Sequence, residues 1–195
     1  MGSMPGVIIS SLIKVKTNNP VFLLDEIDKI GGNTHQGDPS SAMLEVLDPS
    51  QNSDFQDHFL GTGFDLSSIM FIATANALEN IHPALLDRLE IIDISGYTVE
   101  EKLEIAKRYL VPKQIEDNGI TKETISFSDK ILEKLIMGHT AESGVRGLDR
   151  TIGSICRAVA YKVAIAEDAA SISNVEVTDK LIEEALGPKK YEHLL

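Results

Sequence analysis

The stretch Pro20-Val-Phe-Leu-Leu-Asp-Glu-Ile-Asp28 constrains the fold more than any other, because four consecutive apolar residues run directly into two carboxylates. Val21 to Leu24 shows no polar alternation, which predicts a strand buried on both faces, as in a parallel sheet covered by helices. Asp25 and Glu26 then fall at the carboxyl end of that strand, the end at which open α/β sheets bind ligands. Adjacent carboxylates supply two tools. One holds a hard cation such as Mg2+ through oxygen, directly or through water, and the other polarises a water for attack. An acidic cap on a buried strand before a turn accounts for the same residues more plainly, and on this stretch alone both readings stand.

The flanking sequence fits an α/β arrangement. Val7, Ile8, Ile9, Leu12 and Ile13 recur at helical spacing ahead of Lys14 and Lys16. Asp38-Pro39-Ser40-Ser41 predicts a helix start, with Asp38 as N-cap and Pro39 at the first helical position, and the helix ends near Asp48-Pro49. Residues 50 to 65 predict a loop or hairpin with Phe55, Phe59, Leu60 and Phe64 packed beneath it or presented at its tip. Ile69 to Ala73 is a second unbroken apolar strand, ending in Thr74-Ala75-Asn76. An amide at such a strand end orients a water against a phosphate, although asparagine is also a common turn residue. His82-Pro83 opens a short helix that carries Asp87 and Arg88, and Ile91 to Ile94 predicts a third strand closed by Ser95-Gly96.

From Tyr97 onward the pattern turns helical, and the domain boundary is placed there. Thr98-Val-Glu-Glu101 has the form of a capping box, and its helix runs to Pro112 with a short continuation to Asn118-Gly119. Phe127-Ser128-Asp129 predicts a second cap. Leu148, Ile152, Ile155, Val159 and Val163 form the core stripe of a long helix that follows the break at Glu142 to Gly147. Val175 to Val177 predicts a brief extended piece, and Thr178 caps a last helix ended by Gly187-Pro188. Four helices with almost no strand predict a small bundle.

Composition bounds the function classes. The 195 residues carry a net charge of −12, and residues 1–96 contribute −9 of it, from thirteen Asp/Glu against four Lys/Arg. So acidic a first half disfavours a nucleic-acid surface, which needs clustered cations. No apolar run approaches membrane-spanning length and no secretory leader is recognisable, which predicts neither a membrane partner nor secretion. The single Cys156 lies on an apolar helix face and reads as a packed, inert thiol in a reducing compartment. No Cys or His pair has zinc-ligand spacing.

The order of signals resembles the AAA+ ATPases: an acid pair on a buried strand, an amide at the end of the next, an arginine on the following short helix, then a bundle with an arginine at a helix start. Within that class several longer blocks are similar to the Lon family of ATP-dependent serine proteases. They are Asp25-Glu-Ile-Asp-Lys-Ile-Gly31, Gly37-Asp-Pro-Ser-Ser-Ala42, Leu44-Glu-Val-Leu-Asp-Pro49, Asp87-Arg-Leu-Glu90, Arg108-Tyr-Leu-Val-Pro112 and Glu142-Ser-Gly-Val-Arg146. The resemblance implies a truncated parallel αβα sheet of a AAA+ large subdomain (1–96, Walker B to arginine finger), followed by a four-helix AAA+ small subdomain (97–195). It assigns Asp25 to Mg2+ and nucleotide, Glu26 to water activation, Asn76 to the sensor-1 position and Arg88 to an arginine finger acting on a neighbouring subunit. Tyr109, Val145 and the sensor-2 Arg146 are assigned to nucleotide contact, and Phe59 or Leu60 to a substrate-gripping pore loop.

The implied parent hydrolyses ATP with Mg2+ as a homo-hexamer and drives unfolded or damaged proteins into a Ser-Lys peptidase chamber. It would work in a bacterial cytoplasm or, alternatively, a mitochondrial matrix. The chain departs from the pattern in three ways. It contains no Gly-x-x-x-x-Gly-Lys-Ser/Thr phosphate loop and no peptidase dyad, and Val7 stands where the family usually has a basic residue. The resemblance places the phosphate loop upstream, so the fragment by itself is expected to be inactive. Two other readings remain at this point: a non-catalytic helical module that binds substrates or partners, and another AAA+ remodelling ATPase.

Overall fold

The computed structural model describes residues 6–30, 39–57, 61–166, 174–189 and 191. The chain divides into two compact units, Met1–Asp93 and Ile94–Leu195.

The first unit is built on a parallel pair, β1 (Val21–Leu24) and β4 (Met70–Ala73), in the register Val21↔Met70 to Leu24↔Ala73. Parallel neighbours require a long crossover. Here it contains α2 (Pro39–Leu47) and the small antiparallel ladder of β2 (Phe55–Gln56) and β3 (Gly63–Phe64). Helix α1 (Val7–Val15) precedes the pair and buries Ile9 and Leu12. These two residues form one core with Val46, Leu66 and Ile69, against which Phe22 and Phe71 pack as register partners, their ring centroids 5.9 Å apart. A second core of Ile27, Ile81 and Leu85 lies beneath the carboxyl ends of the two strands, against Leu24 and Ala73. Helix α3 (Pro83–Leu86) carries Leu85, and His82 caps it by accepting the Ala84 N–H at 3.2 Å.

Three expectations for this unit need correction. The strand pair is covered on one face only: Val21 and Leu23 are 63% and 60% exposed, Met70 and Ile72 62% and 43%. An apolar run requires apolar neighbours on both sides, but it does not guarantee that the described chain supplies them. Ile91 to Ile94 forms no strand. These residues are exposed, Ile92 at 78% and Ile94 at 92%, and no described strand lies alongside to take their backbone hydrogen bonds. Finally, α3 is a single turn, so Asp87 is its C-cap and Arg88 lies beyond it. Asp38, Phe59 and Leu60 lie outside the described residues.

The second unit holds one large core. Its first helical rod joins α4 (Val99–Ile105), a π-helical turn (Ala106–Leu110) and α5 (Val111–Asp117) without a break. The capping box forms in full, with Thr98 accepting the Glu101 N–H and Glu101 accepting the Thr98 N–H. Pro112 passes through this rod rather than ending a segment. Having no N–H and a ring that crowds the carbonyl four residues back, it suits a locally widened helix, and the Val111 N–H bonds Ala106 instead. Gly119, at φ +66°, turns the chain after the Asn118 C-cap.

Helices α6 (Asp129–His139), α7 (Arg146–Ile165) and α8 (Asp179–Leu186) complete the described helices of the unit. Leu135, Leu148, Ile152, Ile155, Cys156 and Val159 are inaccessible at its centre. Ser128 precedes α6 without a side-chain cap, contrary to expectation, whereas Thr178 accepts the Leu181 N–H as expected. The unit also contains more strand than the sequence suggests. β5 (Ile125–Ser126) and β6 (Val175–Glu176) pair in parallel, fixing the loop before α6 to the loop before α8. Cys156 is buried and desolvation pushes its thiol up to about 11, which makes it inert as expected.

Candidate active site

The acid pair takes its geometry from the strand register. Because Leu24 faces Ala73, the next residues on the two strands, Asp25 and Thr74, meet at the carboxyl edge. Thr74 Oγ1 donates to Asp25 Oδ1 at 2.5 Å and accepts the Glu26 N–H at 2.9 Å. The Thr74 carbonyl accepts from Ile27 N at 2.9 Å, and its amide donates to the Leu24 carbonyl at 2.9 Å. One threonine thus fastens the turn on which both carboxylates ride. Glu26 occupies the left-handed region at φ 56°, ψ 50°, a conformation that costs a non-glycine residue about 1 kcal/mol or more and that collects at functional sites. Its Oε1 lies 2.7 Å from Lys29 Nζ, and that hydrogen bond is the first cause holding the lysine above its usual value.

Asn76 stands two residues past Thr74, exposed and without a hydrogen bond among the described residues. The strand ends therefore bring together Asp25, Glu26 and Thr74, with Asn76 close by in sequence. The role of Thr74 was missed in the sequence. Its signal was the polar residue directly after an apolar strand, in register with the acid.

Arg88 is held within its own unit. Nε and Nη2 donate to Asp48 Oδ2 at 3.1 and 2.7 Å, and Nη1 donates to the Ala84 carbonyl at 2.7 Å. Asp48 also accepts from Ser50 Oγ at 2.7 Å and Ser50 N at 2.9 Å. The Ser50 hydroxyl and then the Arg88 guanidinium bring the Asp48 carboxyl down to about 2, so it stays ionised at neutral pH.

In the second unit Tyr109 is 66% exposed on the π-helical turn, a feature enriched at functional sites. Val145 is the half-buried N-cap of α7 and gives it no side-chain cap. Arg146, the first residue of that helix, is exposed and has no hydrogen-bond or ion-pair partner among the described residues. A cation at a helix N-terminus opposes the helix dipole, so its place there is not a stabilising choice.

The donor set suits a magnesium nucleotide better than a caged metal. Among the described residues no group of three or more His, Cys, Asp or Glu side chains converges on one point. Asp25 presents hard oxygen at a strand end, with only Oδ1 engaged among the described residues. Magnesium is commonly held in this manner, by one carboxylate together with waters and the phosphates of its substrate.

A parallel strand pair ending in an acid pair, followed by a helical unit with an exposed arginine at a helix start, has the organisation of the AAA+ class. Comparison with known proteins agrees: residues 1–97 match the ATPase family associated with various cellular activities (AAA), and residues 116–172 match the Lon protease AAA+ ATPase lid domain. Lon protease 2 of Bdellovibrio bacteriovorus is 53% identical over 192 residues, which is 98% of this chain and 23% of that protein. Lon protease of Desulforamulus reducens is 52% identical over 193 residues, and the peroxisomal Lon protease homolog 2 of Bos taurus 58% over 164 residues, 84% of this chain and 19% of that protein. The chain belongs to the Lon protease family and corresponds to its AAA+ ATPase module. It spans less than a quarter of the length of these relatives. Among the described residues no helix is long and apolar enough to cross a membrane.

Proposed function

We propose that the chain is the later part of a Lon-type ATPase motor: residues 1–96 the second half of the nucleotide-binding α/β subdomain, residues 97–195 the helical subdomain. The intact protein hydrolyses ATP as a homo-hexamer and feeds unfolded polypeptide to an attached Ser-Lys peptidase. The bridge from Thr74 to both the Asp25 carboxylate and the Glu26 amide is the observation that carries this reading, because it fastens the acid pair to the strand edge where open α/β sheets bind ligands. Bound Mg2+–ATP supplies the electrophilic γ-phosphate and neutralises its charge.

Asp25, with one oxygen held by Thr74, would hold the magnesium ion with its remaining oxygen, directly or through water. Glu26 exchanges its Lys29 partner for the attacking water and takes up its proton. Asn76 orients that water, having no hydrogen-bond partner among the described residues to satisfy first. Arg146 supports the phosphates of its own subunit, and Tyr109 and Val145 border the base. Arg88 reaches a neighbour's nucleotide with the donors that Asp48 and Ala84 leave unused. A guanidinium has five, so partial engagement holds its plane without exhausting it.

In the full-length protein, Glu26→Gln is expected to retain ATP while its hydrolysis falls by about 10²-fold or more, the usual scale for a lost general base. Nucleotide binding and phosphate release are measured on the same sample. Hydrolysis by Glu26→Gln at the wild-type rate would remove Glu26 from the chemistry and the motor assignment with it.

A further inference from the structure

The segment that delivers Arg146 is tied down from several directions. The carboxylate of Glu142 accepts two amides of the first turn of α7, Gly147 N–H on Oε2 at 2.8 Å and Leu148 N–H on Oε1 at 2.9 Å. These donors have no partner inside a helix, and the Val145 N-cap has no side-chain acceptor to offer them. The carbonyl of Glu142 is held in turn by the ammonium of Lys102, a lysine only 7% exposed. One residue on, the Ser143 carbonyl accepts the Tyr97 N–H at 2.9 Å. Gly96 lies so close to that point that a Cβ there would stand 2.9 Å from Ser143 Cβ and 3.0 Å from its carbonyl oxygen.

Several of these features are costly for folding alone. Lysine is rarely so buried, and among the described residues no carboxylate lies within 4 Å of Lys102 to neutralise it. Arg146 is the first residue of α7, at the positive end of the helix dipole, an end that an anion such as the Glu142 carboxylate favours. Glu142 is therefore placed where it caps the helix turn that begins with Arg146, through the amides of the next two residues. We infer that Glu142 is a positioning residue for Arg146, with Lys102 as its anchor: together they fix the helix start from which the guanidinium meets the phosphates. This rests on the reading of Arg146 as a nucleotide contact.

The test is a double-mutant cycle on ATP hydrolysis by the full-length protein, with Arg146→Ala, Glu142→Ala and both together. Glu142→Gln runs through the same cycle as a variant of matched size that keeps one good acceptor. Thermal melts confirm folding, and amide exchange at Gly147 and Leu148 reports the cap. Glu142→Ala is expected to lower kcat/KM for ATP about tenfold, Glu142→Gln by less, and the double variant is expected to be no worse than Arg146→Ala alone, because a residue acting through a second adds nothing once the second is gone. Losses that multiply, or wild-type ATP kinetics in both Glu142 variants, would overturn the inference while leaving the role of Arg146 intact. Wild-type kinetics in Arg146→Ala would instead sink the nucleotide-contact reading and this inference together.

Discussion

Thr74 concentrates more of the site in one side chain than either acid does. Its hydroxyl is donor to Asp25 and acceptor to Glu26 at once, so Thr74→Val, which keeps the branched shape, removes both links. With the turn loosened, ATP hydrolysis in the full-length protein is expected to fall about tenfold by misplacement alone, and the Glu26 amide to exchange faster. Unchanged turnover would mean that strand register suffices to hold the acids. Asp48 makes a pH-dependent statement at the same scale. Its carboxyl is depressed to about 2 in the fold, so the stability it contributes is present above its unfolded value near 4 and is lost as pH falls toward 2. Asp48→Asn should flatten the acid-unfolding curve of wild type in that window and leave Arg88 more mobile. Neither link was legible from spacing. Thr74 lies 48 and 49 residues from its partners and Arg88 lies 40 from Asp48, separations that only register and packing close.

At the scale of elements, local chemistry explains what was readable. Thr98 and Glu101 declare their capping box within four residues, and both halves form. Replacing Thr98 with alanine is expected to cost about 1 kcal/mol, read as the shift in a denaturant midpoint at constant slope. The stripe from Leu148 to Val159 was equally plain, since helical periodicity requires no knowledge of the partner, and Ile155→Ala at its centre should cost about 2–5 kcal/mol because the surrounding core cannot close over the gap. The π-helical turn was not readable: Pro112 signals a helix end in sequence, and only the packing of the turn against α7 explains why the rod continues. Pairing of β5 with β6 was hidden for the same reason, as two-residue strands carry no periodicity and meet across a separation of 50 residues.

On the whole-molecule scale, the two units differ in how fully they enclose themselves. In the helical unit Leu135, Leu148, Ile152, Ile155, Cys156 and Val159 are fully buried in one core, whereas the strand pair leaves Val21, Leu23, Met70 and Ile72 open to water on one face. Four adjacent apolar side chains on a parallel pair are unusual, because parallel sheets are ordinarily covered on both faces. The sequence announced this as double-sided burial, and the relatives are more than four times as long as the stretch they share with this chain. An open face makes a measurable difference. The isolated chain should bind an apolar dye such as ANS, and Leu23→Gln with Ile72→Gln should reduce that binding while moving the thermal midpoint little, since substitutions at exposed positions usually stay within about 0.5 kcal/mol. In the full-length protein, where we propose that the missing α/β half covers this face, the same pair of substitutions buries two unpartnered amides and should destabilise the fold by about 2 kcal/mol or more. Equal tolerance in both settings would show that the face stays in water throughout, and would remove the sheet's incompleteness as support for a longer α/β subdomain.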